Sequence, residues 1–158
     1  MVAYSFRAGF AKQVETGFKA QTVRALGRKR HARVGEPVQI YTGMRTKYCR
    51  KLLDPDPICA SVKHIEIKVS DLGEITKIVI NAIPLSLAER EDFAISDGFD
   101  PLFYSPDLFS KKQAECNAAL PYQARRAVAL EQMSFFWANE HGQGRFEGVL
   151  IEWRRADG

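Results

Sequence analysis

Apolar residues along this chain change period several times, and each change marks an element. Val2 to Arg7 alternates as a short strand. From Ala8 to Thr16 the spacing lengthens: Phe10 and Val14 stand four apart on one side of an amphipathic helix, and Gly17 is its C-terminal stop. Lys19 to Arg24 reads as a short extended piece, and Ala25 to Gly35 as a loop. The GEP turn at 35–37 leads into a strand over Val38 to Thr42, with Val38, Ile40 and Thr42 on one face. DPDP at 54–57 cannot be helix interior. Ile58 to Val69 and Ile75 to Ala82 alternate strongly around the SDLGE turn, which predicts an antiparallel pair. Ser86 and Glu89 form a capping box that opens a helix to about Ser96, ended by DGFDP at 97–101. Residues 102–120 read as irregular. Tyr122 to Ala138 has helical composition, Gly142 and Gly144 break it, and Phe146 to Arg154 closes the chain as a strand.

This order predicts one α+β domain over residues 1–158, a small mixed barrel with helices at its side. At 158 residues and 46% hydrophobic content the chain has ample material for one core. No apolar run approaches a membrane span, and MVAYSFRAGF lacks the charged and apolar parts of a secretion signal. Cys49, Cys59 and Cys116 are odd in number and irregular in spacing, against a disulfide framework. The expected compartment is therefore the cytoplasm. The cysteines form no CxxC pair and His31, His64 and His141 stand apart, so no zinc site and no metal or other cofactor is expected. Cys59 and His64 fall on opposite faces of their strand. Glu66 shares a face with His64, the arrangement of a surface ion pair.

Charge is unevenly distributed. Between Arg24 and Lys51 nine cations (24, 28, 29, 30, 33, 45, 47, 50 and 51) face one acid, Glu36, whereas Glu89, Glu91, Asp92, Asp97, Asp100 and Asp107 cluster later. A basic third is the footprint of a polyanion partner, with nucleic acid the default. On that reading Arg24, Arg28, Lys29, Arg30, Arg33, Arg45 and Lys47 neutralise phosphates, and Tyr41 or Tyr48 offers a stacking surface. The alternative is a solvated basic loop without a partner. Phe135, Phe136 and Trp137 are consecutive on a helix, so at least one must leave the core.

The most informative octet is Gly17 to Arg24, GFKAQTVR. Thr22 and Arg24 are two apart on an extended segment and share a face, and Lys19 can swing over it. A hydroxyl, an amine and a guanidinium converging on one spot suit a polar or anionic planar ligand such as a nucleotide. A solvated strand edge is the competing reading.

GFKAQTVR resembles the G-x-K-x-x-T-[IV]-R signature of the ASCH domain family, a branch of the PUA-like β-barrel superfamily associated with RNA. GEPVQIYTG at 35–43 is similar to the strand that follows the family's basic loop, and FAISDGF at 93–99 with FEGVLIEW at 146–153 completes the likeness over about residues 3–153. The resemblance implies a PUA-like barrel flanked by helices, with a cleft for RNA or a nucleoside, and an insert at about 100–140 that compact members lack. Some compact members are amidohydrolases that deacylate N4-acetylcytidine. By resemblance Lys19 and Thr22 match their lysine and threonine, and Asp97 stands where they carry glutamate, a reach shorter by about 1.5 Å.

In that chemistry the Thr22 hydroxyl attacks the amide carbonyl and Lys19 takes its proton. The amine can do so only if burial or a neighbouring cation such as Arg24 lowers its pKa. Asp97 orients the lysine or protonates the leaving amine. Binding of RNA or a modified nucleoside is the first expectation and amidohydrolysis the alternative. A single-stranded RNA nuclease, or a protein-interaction module built on the 100–140 insert, comes third.

Overall fold

A computed structural model describes residues 2–103 and 120–156. Its elements follow the apolar pattern closely. Strand β1 (Val2–Phe6) leads into helix α1 (Ala8–Thr16), which buries Phe10, Ala11 and Val14 and ends at Gly17 with φ at +86°. β2 (Gln21–Ala25) is followed by the basic loop and β3 (Val38–Thr42), whose Val38, Ile40 and Thr42 face the core as their spacing predicts. The two-residue β4 (Arg50–Lys51) and β7 (Ile83–Pro84) are too short to carry a period and were not anticipated. Between them lie the long β5 (Ile58–Val69) and β6 (Ile75–Ile80), paired antiparallel as expected.

Helix α2 (Leu87–Ala94) opens with the anticipated box: Ser86 accepts from the Glu89 amide while Glu89 accepts from that of Ser86. It does not end at Asp97. The coil widens into a π turn at Ile95–Phe99, and a 3-10 turn follows at Pro101–Phe103. Helix α3 (Tyr122–His141) and β8 (Gly144–Arg154) complete the chain. Of the stretch expected as an insert, α3 belongs to the core, with Ala129, Met133 and Trp137 buried. Its Ser134 hydroxyl accepts the Ile75 amide at 3.0 Å, tying the helix to β6. Residues 104–119, with Asp107 and Cys116, lie outside the described residues.

The strands form two sheets, ordered β1-β3-β4 and β2-β8-β5-β6-β7. β1 and β3 run parallel, and the other pairs are antiparallel. One core serves both sheets, with the Phe6 ring edge-on to Trp153 at 5.8 Å. The expected barrel is not closed among the described residues. β3 pairs with β1 along its length but with β4 only at Tyr41 and Thr42, and it meets β5 at its start, through the Pro37–Ile58 bridge and the Val38 amide donating to the Pro57 carbonyl at 2.8 Å, without a continuous ladder. β1 and β2 are each the end strand of a sheet, and between them a side chain takes the place of a ladder: the Arg24 guanidinium donates to the Ser5 carbonyl at 2.8 Å. Among the described residues no helix is long and apolar enough to cross a membrane.

Gly148 sits in β8 where β2 passes closest. A Cβ there would lie 2.3 Å from the Arg24 carbonyl oxygen and 2.8 Å from the Phe146 ring. Gly148→Ala is expected to destabilise the chain by about 3 kcal/mol, as overpacking against backbone does. Urea denaturation checks it, and an unchanged midpoint would mean that β2 shifts freely.

Candidate functional site

The octet Gly17 to Arg24 changes direction within a few residues. After Gly17 turns the chain, the Lys19 amide donates to the Gln13 carbonyl at 3.0 Å, which pins the segment under α1. Lys19 then points inward just before β2, and Thr22 and Arg24 follow on the face that closes over it. Strand parity brings Thr22 and Arg24 together as expected: Arg24 Nε donates to Thr22 Oγ1 at 3.0 Å. The hydroxyl oxygen therefore accepts from a cation, and its own proton is left to donate.

Asp97 arrives from the opposite side on the π turn. This is the kinked end of α2 rather than a continued helix, and Asp97 is 5% exposed there. Gly98 makes this possible. Its φ is +102°, and a Cβ would lie 2.8 Å from the Phe10 ring and 3.0 Å from Lys19 Cδ. Gln13, wholly buried on α1, donates to the Gly98 carbonyl at 2.9 Å and holds the turn in place.

Lys19 and Asp97 meet in this enclosure. Lys19 Nζ donates to the Asp97 carbonyl at 2.5 Å and lies 3.3 Å from Oδ1, which also accepts from Gln21 Nε2 at 3.3 Å. The amine is 3% exposed and sits 4.7 Å from the Phe10 ring centroid. Burial pushes its pKa down, Asp97 pulls it partly back, and the Arg24 cation adds a smaller push downward. The source of the depression is thus chiefly desolvation, with Arg24 secondary. Arg24 itself is held below its usual value by burial, its guanidinium 5.2 Å from the Tyr4 ring and 5.1 Å from that of Phe6.

Lys19, Thr22, Arg24 and Asp97 all line one cavity of about 370 Å³, in the range that holds a small ligand. Phe10, Phe99, Phe136 and Trp137 give it an aromatic wall. As anticipated from their run, Phe135 leaves the core while Trp137 stays in it; Phe136, half-buried, turns to the cavity. A cleft wall from the Phe135–Trp137 run was expected, and Phe136 supplies it; Gln13, Gln21 and the Phe10 and Phe99 part of the wall escaped the sequence reading. The glutamines carry no pattern of their own, and helix periodicity alone does not say what a face will meet.

The remaining predicted residues are dispersed. Arg28, Lys29 and Arg33 are exposed on the loop after β2, outside the cavity. Arg30 is engaged: its guanidinium lies 2.9 Å from Glu36, whose pKa that bond and the Arg33 amide pull down to about 2. The one acid of the basic third thus organises the loop and occupies one of its cations. Tyr41 faces away from Ile40 as expected, but it is half-buried and does not line the cavity. Arg45 and Lys47 are exposed on the loop after β3, the Lys47 amine 5.1 Å from the Tyr48 ring. His64 and Glu66 do not pair with each other. Register sets Glu66 opposite Glu147, so His64 takes Glu147 diagonally at 2.7 Å and Arg145 reaches both glutamates. Ligand atoms of His64, Glu66 and Glu147 lie within 4.8 Å of one another, with the Arg145 guanidinium already among them.

The depressed Lys19 amine makes stability depend on pH with a defined sign. Below its folded-state pKa the amine is protonated in both states. As pH rises through that value toward 10.5, the unfolded chain keeps a proton that the folded chain has released, so folding is favoured increasingly. Wild-type stability should therefore gain on that of Lys19→Met as pH rises through this window, measured by urea denaturation at successive pH values. A constant difference would mean that the amine is not perturbed. A second expectation concerns the turn: Gly98→Ala should displace Phe10 and Lys19, and cost about 2–3 kcal/mol for overpacking and positive-φ strain together, read by thermal unfolding.

Compared with known proteins, the chain matches no family model, no curated protein and no solved structure, so what the site does rests on its own chemistry.

Proposed function

We propose that this chain is a PUA-like domain of the ASCH type whose cavity takes up a nucleoside, free or within RNA. The observation that supports the reading is the convergence of Lys19, Thr22, Arg24 and Asp97 on one aromatic-walled cavity. A planar base with polar edges satisfies both halves of such a lining, rings for its faces and donors for its carbonyls. The Thr22 hydroxyl and Lys19 amine are donors, and Asp97 is an acceptor suited to an exocyclic amine. Calorimetric titration with the four ribonucleosides and N4-acetylcytidine tests it. At least one should bind, and Lys19→Met should weaken that ligand by about 10-fold or more, the size of a lost charged hydrogen bond. Uptake of none of the five would overturn the reading.

One observation favours catalysis as a second reading: the lysine is buried against a carboxylate in the cavity, and burial pushes its pKa down, the direction a general base needs. In the amidohydrolase reading Thr22 Oγ1 adds to the acyl carbonyl of an N4-acylated cytidine. Lys19 accepts the threonine proton and, as the acyl C–N bond breaks, passes it to the departing N4 amine, leaving the acyl-threonine ester and free cytidine. Water then hydrolyses the acyl-threonine ester. Arg24, already bonded to Oγ1, favours the deprotonated oxygen as Lys19 takes its proton. Thr22→Val keeps shape and strand propensity while removing the hydroxyl. Turnover of N4-acetylcytidine should then fall by about 1,000-fold or more while affinity changes little. If the shorter carboxylate limits the rate, Asp97→Glu should raise it. Absence of turnover in both wild type and Asp97→Glu removes the catalytic reading and leaves binding alone.

A further inference from the structure

Helix α3 brings two rings of different kind to the cavity on its last turns. Trp137 is buried in the wall, and His141, four residues on and so on the same face, lines the cavity at its rim. The imidazole centroid lies 4.3 Å from that of Trp137 and 5.2 Å from that of Phe146, and those two rings meet edge-on at 4.7 Å. Two mutually packed rings therefore back the imidazole, which is otherwise exposed. His141 belongs to no motif of the sequence, and neither reading above uses it. We propose that His141 is a further ligand-binding residue of this cavity, that it meets the nucleoside as the neutral imidazole, and that uptake expels its proton. This rests on the nucleoside reading and adds to it one contact and one regulator, pH.

Two features carry the inference, and the first is a shortage of acceptors. Among the side chains that line the cavity, Arg7, Lys19 and Arg24 only donate, and the Thr22 hydroxyl oxygen already takes the Arg24 Nε–H. Asp97 Oδ1 is occupied by Lys19 and Gln21. A base edge carries amine or imide donors as well as carbonyls. A neutral imidazole answers them with one ring nitrogen that accepts and one that donates, whereas the imidazolium has two donors and no acceptor.

The second feature is charge. Arg7, Lys19 and Arg24 border the same cavity, Asp97 enters it from the π turn, and Glu140 precedes His141 on α3. Lys19 pairs with Asp97, and Arg7 pairs with Glu140 while its guanidinium rests 5.1 Å from the Phe136 ring. Arg24, bonded to Thr22 and Ser5, forms no ion pair among the described residues, so the lining already carries a cation in excess. β8 turns Phe146 toward the ring, and Arg145 and Glu147 alternate to its opposite face, where they meet Glu66 and His64. A ligand over the rim strips water from the imidazole, and a charge kept there then costs more. Burial against the rings already pushes the His141 pKa below its ordinary value, against the pull of Glu140, and a bound nucleoside extends that burial.

The test is calorimetric titration of the full chain with the four ribonucleosides and N4-acetylcytidine from about pH 5.5 to about pH 8, the range in which histidine changes charge and none of the five ligands does. For the nucleoside that binds tightest, affinity should fall toward the acid end by about threefold or more, approaching tenfold for a pKa one unit lower in the complex. At about pH 6 the heats in buffers of different ionisation enthalpy should report a proton released on binding. In His141→Gln the affinity should be level across the range and the proton release absent. In Glu140→Gln, which removes the pull toward the charged form, the fall should move to lower pH. A nucleoside that binds equally well throughout, or a pH dependence that survives His141→Gln or is not moved by Glu140→Gln, overturns the role of His141 and leaves nucleoside uptake standing. If none of the five binds at any pH, both fall together.

Discussion

A cationic amine and a carboxylate buried together in an aromatic enclosure are the constraint on which the site depends. Charges leave water at a cost of several kcal/mol each, and their attraction recovers this only with good geometry and further hydrogen bonds. The surroundings of Lys19 and Asp97 supply those bonds. The amine donates to the backbone and side chain of Asp97, Gln21 reaches the same carboxylate oxygen, and Gln13 fixes the next peptide. Each of these partners comes from α1, β2 or the π turn, so the pair also dictates how those three elements meet. Buried, paired polar groups that line a cavity and carry a perturbed pKa mark a candidate functional site.

The gap between the two sheets has the same origin. A continuous ladder from β1 to β2 would satisfy their edges with backbone alone and leave no space for a ligand. Instead Arg24 spans the opening, donating to Ser5 on one side and Thr22 on the other while its face rests on Tyr4 and Phe6. Arginine suits this position because its planar head can stack and donate in several directions at once. The cavity therefore lies where the strands fail to close, bounded by α1, the π turn and α3.

Charge in this chain does two different things. In the basic third, Arg24 turns to the cavity, bonded to Thr22 and Ser5, Arg30 is held by Glu36, and Lys51 pairs with Asp56 at 2.6 Å. The cations that remain outward are fewer than a count along the chain suggests, and they belong to two separate loops. Arg45 and Lys47 face solvent beside Tyr48 on the loop after β3, and Arg28 and Lys29 on the loop after β2.

The elements themselves were legible in the sequence because each rests on local physics. The period of Val38, Ile40 and Thr42, the Ser86–Glu89 box and the Gly17 stop act within a few residues, and all stand where the pattern puts them. The shared face of Thr22 and Arg24 is likewise a property of any strand. Other features depended on contacts distant in the chain, which no local pattern encodes. Asp97 is a helix-end residue by sequence, and only the fold shows that this end, kinked at Gly98 beside Phe10 and Lys19, is buried with its carboxylate on Lys19. Arg30 and Lys47 look alike as cations, and only the fold sets one on Glu36 and the other beside Tyr48. Closure of the sheets was decided last: strands compete for a limited number of edges, and which edges pair is known only once all of them are in place.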